Sequence, residues 1–258
     1  MARSEEIATR GDSITSRRLL LREAAELALV ALAFLLYFVV RANVIDRPDL
    51  ASENARYIVD VERTLGIFVE RDWQEAVLES SLAVRFFNFV YFWLDFPLIA
   101  AAGVWLYFHR RPEYTFTRDA ILFSGAMALI SYSLYPVAPP RLLPEAGIID
   151  TLQVFNNLSY QAQSMSFFVN PFAAMPSLHV GWAVLLAVGV VRAYPQSKLV
   201  LLVAVLHPLT QTVSTVVTGN HYFLDGAGGL VAAALGLSFA VLMQRHGYAY
   251  LKQRLSFV

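Results

Sequence analysis

The sequence predicts an all-α membrane protein, a bundle of six transmembrane helices with an interfacial amphipathic segment between the first two. Three observations carry that expectation. Hydrophobic residues make up 57% of the 258 positions, more than a single soluble domain can bury. Apolar runs recur at close to the ~20 residues that a helix needs to cross a hydrocarbon core. Lysine and arginine are also unevenly shared among the segments that join those runs.

In chain order, residues 1–22 form a polar N-terminal tail carrying Arg3, Arg10, Arg17, Arg18 and Arg22. The first apolar run, Ala24 to Val40, is longer than the ~7–15 residues of a signal-peptide core, and no small-residue cleavage site follows Arg41. It reads as an anchor. Residues 23–87 therefore comprise a first span and an amphipathic segment in which Ile58, Val61, Leu65, Ile67, Phe68, Trp73, Val77 and Leu78 recur at helical spacing, broken at Gly66. Such a segment lies along the membrane interface or caps the bundle. Its acids Glu62, Glu70 and Glu75 read as a solvated face.

Residues 88–243 form a five-helix membrane core, with spans near Asn88–Phe108, Ala120–Tyr135, Ser177–Tyr194, Leu199–Val217 and Phe223–Met243. Residues 244–258 are a C-terminal tail. Arg110, Arg111 and Arg118 fall between spans two and three, Arg192 and Lys198 between four and five, and Arg245, Lys252 and Arg254 in the tail. The positive-inside bias puts these segments and both termini in the cytoplasm. The stretch from Pro136 to Pro176, whose one basic residue is Arg141, and the link between spans five and six then face out. A cell-membrane, multi-pass protein is expected.

Net charge is formally zero, and no basic patch interleaved with aromatics argues for nucleic acid. Absent cysteine removes thiolate chemistry and cysteine-based metal sites. Any chemistry falls to His, Asp, Ser or Arg.

Two histidines stand at the ends of membrane-length runs, a costly place for a polar group without work to do. His221 and Asp225 are four residues apart and share a face if the stretch is helical. The carboxylate can then take the proton on one imidazole nitrogen, leaving the other as a nucleophile. His179 follows Pro176 and Ser177, the latter a good N-cap for span four, at a helix N-terminus suited to an anion. It is placed to give a proton to a leaving oxygen or take one from an incoming hydroxyl. Arg141, behind Pro139 and Pro140, offers a planar fork to phosphate oxygens. Ser177, Thr218 and Asn220 are further substrate-binding candidates. Metal binding by His179, His221 and Asp225 lacks a supporting motif, and neither metal nor cofactor is expected.

Asp95 and His207 lie inside spans beside Pro97 and Pro208, where a polar group bracing a kink is the expected role. The small-residue series Gly228, Ala232, Gly236 predicts close packing of span six, holding His221 and Asp225 against span four. Tyr132, Tyr135 and Tyr222 either anchor at the interface or line the site.

Pro176-Ser177-Leu178-His179 followed by His221-x-x-x-Asp225 resembles the second and third signature motifs of the phosphatidic acid phosphatase type 2 superfamily. Tyr135 to Arg141, Asn170 to His179 and Gly219 to Tyr222 resemble its inositol phosphorylceramide synthase branch in particular. The resemblance covers roughly Asn88 to Met243. It implies that His221 forms a phosphohistidine, that Asp225 orients it, and that His179 serves as general acid and then base at the outer membrane face.

The chain departs from the phosphatase pattern in its cations. Leu134 stands where that pattern has lysine, Leu142 where it has proline, Leu178 where it has glycine, and Ser214-Thr215 where it has Ser-Arg. Two of three phosphate-binding cations are therefore missing, although Arg71 or Arg85 can be supposed to fold over from the amphipathic segment. A phosphomonoester carries ~1.5 to 2 negative charges near neutral pH and a diester one. A site holding Arg141 alone suits the diester better. The expected activity is transfer of a phosphoryl-linked head group from a phospholipid or lipid-phosphate donor to an alcohol or water acceptor. The alternatives are a lipid phosphate phosphatase, of phosphatidate or polyprenyl phosphate type, and a non-catalytic lipid transporter or scramblase.

Overall fold

The computed structural model describes residues 2–156 and 170–250. It is helical, and the described residues include one isolated bridge, Val137 to Ala173, but no strand. The helices are α1 (Ala2–Val44), α2 (Pro48–Leu65), α3 (Glu70–Leu78), α4 (Ser81–Trp93), α5 (Phe96–His109), α6 (Arg111–Leu134), α7 (Thr151–Asn156), α8 (Leu178–Ala193), α9 (Lys198–Val217) and α10 (Phe223–Leu242), the last continuing through a π turn at Met243–Gly247.

Two compact units are present, residues 1–39 and 40–258. In the first, α1 is one continuous helix from Ala2, so the polar tail and the first apolar run belong to a single element. Its apolar part exposes Leu27, Leu32, Phe34 and Leu35, as a lipid-facing helix does.

Among the described residues, three helices are long and apolar enough to cross a membrane: Glu23–Val44, Lys198–Val217 and Phe223–Tyr250. Ser81–Trp93 and Phe96–His109 meet that standard together as a fourth, bent by 46°. Thus the run read as one span, Asn88–Phe108, is broken. Pro97 has no N–H to donate, and its ring collides with the carbonyl four residues back, at Trp93. The helix stops there and restarts at Phe96. His207 of α9 closes the gap, its Nε2 donating to the Leu94 carbonyl at 2.7 Å. Helix α6 has 24 residues but opens with Arg111, Glu113, Arg118 and Asp119, and α8 has 16; neither meets the same standard.

In the second unit, α10 packs between α6 and α8, and α9 lies against α8, α4 and α3. Phe116, Ala120, Leu185, Ala233 and Ala240 form the core of the α6, α8 and α10 group. Small residues set its spacing. A Cβ on Gly229 would stand 2.2 Å from the Ser177 carbonyl oxygen, and one on Gly236 would stand 2.4 Å from that of Ala120. The expected ladder therefore serves two neighbours: Gly229, one residue beyond the Gly228 of the sequence reading, approaches α8, while Gly236 approaches α6. Gly228 faces Pro176.

Helix α2 starts at Pro48 and ends at Gly66 in the left-handed conformation (φ 69°), the usual helix stop. Its face of Ala51, Ala55, Ile58 and Val59 buries against Val137, Ala138, Leu143, Ala174 and Tyr222. Polar groups reinforce the contact. Asn54 donates to the Pro136 carbonyl at 2.8 Å, and Gln74 of α3 donates to the carbonyls of Ile149 and Val217 at 2.9 and 3.0 Å. Helices α2 and α3 thus roof the loops that carry the signature motifs.

Candidate active site

Three loops meet beneath that roof: Tyr135–Leu143, Asn170–Ser177 and Thr218–Tyr222. Backbone bonds lace them together, from Val137 N to the Phe172 oxygen at 3.0 Å, from Arg141 N to that of Gly219 at 3.0 Å, and from Ser177 N to that of Asp225 at 2.8 Å. Gly219 has φ 76°, a conformation costly for residues with a side chain. A Cβ there would also lie 2.6 Å from the Ile149 oxygen. The Met175–Pro176 peptide is cis.

The structure brings the two histidines together, with ring centroids 5.5 Å apart. His221 precedes α10, which begins at Phe223, so it does not share a helix with Asp225. Its Nδ1 lies 2.8 Å from the Ala174 carbonyl and 3.4 Å from Asp225 Oδ2. A carbonyl can only accept, so Nδ1 carries the hydrogen and Nε2 keeps the lone pair. Burial, and then the neighbouring His179, hold the His221 imidazole well below its ordinary pKa, in the neutral form. Asp225 makes its shorter bond, 2.8 Å, with Tyr222 N–H.

His179 sits in the first turn of α8, where Ser177 is the N-cap and its Oγ accepts from Val180 N–H. The imidazole stacks on Tyr91 at 4.4 Å and meets the edge of Phe96 at 5.3 Å. Its Nδ1 lies 2.6 Å from Asp95 Oδ2, in close contact but outside hydrogen-bond alignment. Asp95 was expected to brace a kink. It is instead fully buried at the break between α4 and α5, facing the histidine. The break that Pro97 enforces is what frees this carboxylate from a helical position.

Arg141 enters the same site, engaged on two sides. Its Nη1 donates to Asn220 Oδ1, and its Nε lies 3.3 Å from Asp150 Oδ2. Thr218 Oγ1 donates to the Ser214 carbonyl at 2.6 Å and accepts from Asn220 Nδ2 at 2.8 Å. Ser177, Thr218 and Asn220 therefore hold the site's loops through these bonds. Arg71 pairs with Glu75 at 2.8 Å on an exposed surface. An open, mostly apolar groove of about 700 Å³ runs beside the site, its walls including Ile58, Val61, Met127, Met175, Leu224 and Val231.

Glu62 and Glu70 depart furthest from the sequence expectation. Read as a solvated face, they are fully buried. Glu62 Oε1 accepts from Leu224 N–H at 2.8 Å and Glu70 Oε1 from Phe223 N–H at 3.0 Å. Spacing held a signal for Glu62, which falls on the same face of α2 as Ala51, Ala55, Ile58 and Val59, although the other charged positions of α2 and α3 are exposed.

Membrane-length apolar helices around a buried His221 and a partly buried His179, each beside a carboxylate, define a membrane enzyme of the phosphatase or phosphotransferase type. The chain belongs to the PAP2 superfamily, whose family model matches residues 56–239. That membership implies lipid phosphate substrates. No curated protein and no solved structure matches the chain significantly.

Proposed function

We propose that this protein is a six-span membrane phosphotransferase that moves a phosphoryl-linked head group from a phospholipid donor to an alcohol acceptor through a phosphohistidine on His221. Both termini lie in the cytoplasm and the site faces outward, with α2 and α3 at the outer interface above it. The lysine and arginine bias supports that orientation.

In the first half-reaction, His221 Nε2 attacks phosphorus. The N–P bond forms as the P–O bond to the diacylglycerol oxygen breaks, and His179 gives that oxygen its proton. In the second, His179 takes the proton of the acceptor hydroxyl, the new O–P bond forms and the N–P bond breaks. Water in place of the alcohol gives hydrolysis. Asp225 and the Ala174 carbonyl fix the His221 tautomer, Asp95 holds His179, and Arg141 receives the phosphate oxygens.

The observation that carries the preference for a diester is the pairing of Arg141 with Asp150 at 3.3 Å. The cation that remains after two family cations are lost is itself partly neutralised. A phosphomonoester dianion therefore meets a weaker counter-charge than it needs. The nearby groove supports a lipid donor.

Purified protein is incubated with phosphatidate, and separately with phosphatidylinositol plus ceramide as the alcohol. The expected result is new phospholipid in the second reaction and little phosphate released in the first. Turnover of phosphatidate alone selects the phosphatase, and unchanged activity in His221→Ala and His179→Ala rejects the mechanism.

A further inference from the structure

Helix α10 begins with three consecutive backbone N–H groups, and each of them ends on a carboxylate. Tyr222 N–H donates to Asp225 Oδ2 at 2.8 Å, Phe223 N–H to Glu70 Oε1 at 3.0 Å and Leu224 N–H to Glu62 Oε1 at 2.8 Å. Free donors at a helix start are ordinarily met by a neighbouring side chain or by water. Here two of the acceptors come from 153 and 162 residues earlier in the chain. A cap supplied from that distance ties the roof to the turn that carries the histidine and its aspartate.

We propose that Glu62 and Glu70 are positioning residues for the phosphotransfer: a buried carboxyl pair, bridged by one proton, that fixes the first turn of α10 and with it His221 and Asp225. The inference rests on His221 being the nucleophile.

The proton follows from electrostatics. Both carboxyls are fully buried, and Oε2 of each has no hydrogen-bond donor from another residue. Asp225 faces them from α10. Tyr222, whose hydroxyl is buried without a partner, adjoins all three acids, and Glu145, paired with Arg56, stands further out. Burying several unpaired charges side by side costs several kcal/mol per ion. A proton on Glu62 Oε2, donated to Glu70 Oε2, removes one charge and satisfies both oxygens. Burial, and next the hydrogen bond to Glu70, indeed push the Glu62 carboxyl well above its usual range.

The sign of the pH effect follows. Folded Glu62 holds its proton above the pH at which it would leave in the unfolded chain, near 4.5. The stabilisation is complete below that pH and declines as pH rises through the folded value. In alkali Glu62 becomes charged beside Glu70 and Asp225, and the turn loosens.

Head-group transfer from phosphatidylinositol to ceramide is measured for wild type, Glu62→Gln, Glu62→Ala, Glu70→Ala and His221→Ala, with folding checked by thermal melting in detergent. Glutamine keeps the acceptor for Leu224 N–H and supplies a permanent donor to Glu70. Glu62→Gln is expected to keep kcat within a few-fold at neutral pH and to lose less activity than wild type on going alkaline. Both alanine variants are expected to lose kcat by about 10- to 100-fold, the cost of ångström-scale misplacement, with KM little changed. Folded alanine variants with wild-type kcat overturn the proposal. If alanine at these positions prevents folding, the pH profile of Glu62→Gln decides, and an alkaline limb identical to wild type overturns it. A fully active His221→Ala instead removes the nucleophile reading, and this inference with it. An inactive His221→Ala beside unaffected glutamate variants sinks the positioning role alone.

Discussion

His179 Nδ1 lies 2.6 Å from Asp95 Oδ2, so each histidine of the site stands beside a carboxylate. The two pairs are built differently. Asp225 follows His221 by four residues, whereas Asp95 reaches His179 from the break between α4 and α5. Asp95→Asn keeps the shape and removes the charge that holds the imidazole. Turnover is expected to fall by at least about 10-fold and by no more than the roughly 10²–10⁴ that general acid–base catalysis supplies in full. Substrate KM should change little. A variant whose kcat matches wild type assigns Asp95 to structure alone.

The histidine motifs were legible because their chemistry is local. Ser177 caps the helix carrying His179, and His221 and Asp225 are close enough in sequence to meet even though the helix starts after His221. Asp95, Glu62 and Glu70 were misread for one physical reason. Periodicity reports which positions share a helix face, as Glu62 does with Ala55, Ile58 and Val59, but not that a buried acid has found a backbone donor or a histidine far along the chain. The broken second span had the same origin. Pro97 was visible, yet a bent pair and a single span have the same composition. The small-residue pattern in α10 correctly announced close packing, while the division of Gly229 to α8 and Gly236 to α6 depends on tertiary geometry.

Arg141 and Asp150 make charge selectivity testable. Asp150→Asn leaves the guanidinium without its neighbouring anion and raises the net positive charge facing the substrate. The ratio of phosphatidate hydrolysis to head-group transfer should rise several-fold. Arg141→Ala should weaken both, by roughly 10- to 150-fold in kcat/KM, as loss of charge-assisted hydrogen bonds worth ~1.5–3 kcal/mol requires. An unchanged ratio in Asp150→Asn means that the pair does not set the preference.

Acid should act through His221. Burial and the adjacent His179 hold it neutral in the fold, well below the 6.5 of a free imidazole. In the unfolded chain it takes a proton near that ordinary value, so the stability it contributes is present above about pH 6.5 and falls as pH drops below it. Melting temperature in detergent, followed from pH 7.5 to 5, should decline in wild type and decline less in His221→Gln. Parallel curves would falsify the assignment of a neutral, buried His221.

Backbone geometry supplies the last test, since two glycines permit contacts that no side chain can share. At Gly219 a methyl group meets a positive φ, at ~1–2 kcal/mol, and stands 2.6 Å from the Ile149 oxygen. At Gly229 it would lie 2.2 Å from the Ser177 oxygen, forcing α8 and α10 apart at a cost of about 1–3 kcal/mol or more. Gly219→Ala sits in the loop before His221 and is expected to depress both melting temperature and kcat. Gly229→Ala moves the helix start that bears His179 relative to the one that bears Asp225, so it should also lower kcat in the folded fraction. Gly103 has open space around its Cα, and Gly103→Ala should leave melting and turnover at wild-type values. If Gly229→Ala behaves like Gly103→Ala, the close approach of α8 and α10 does not set the distance between the two histidines.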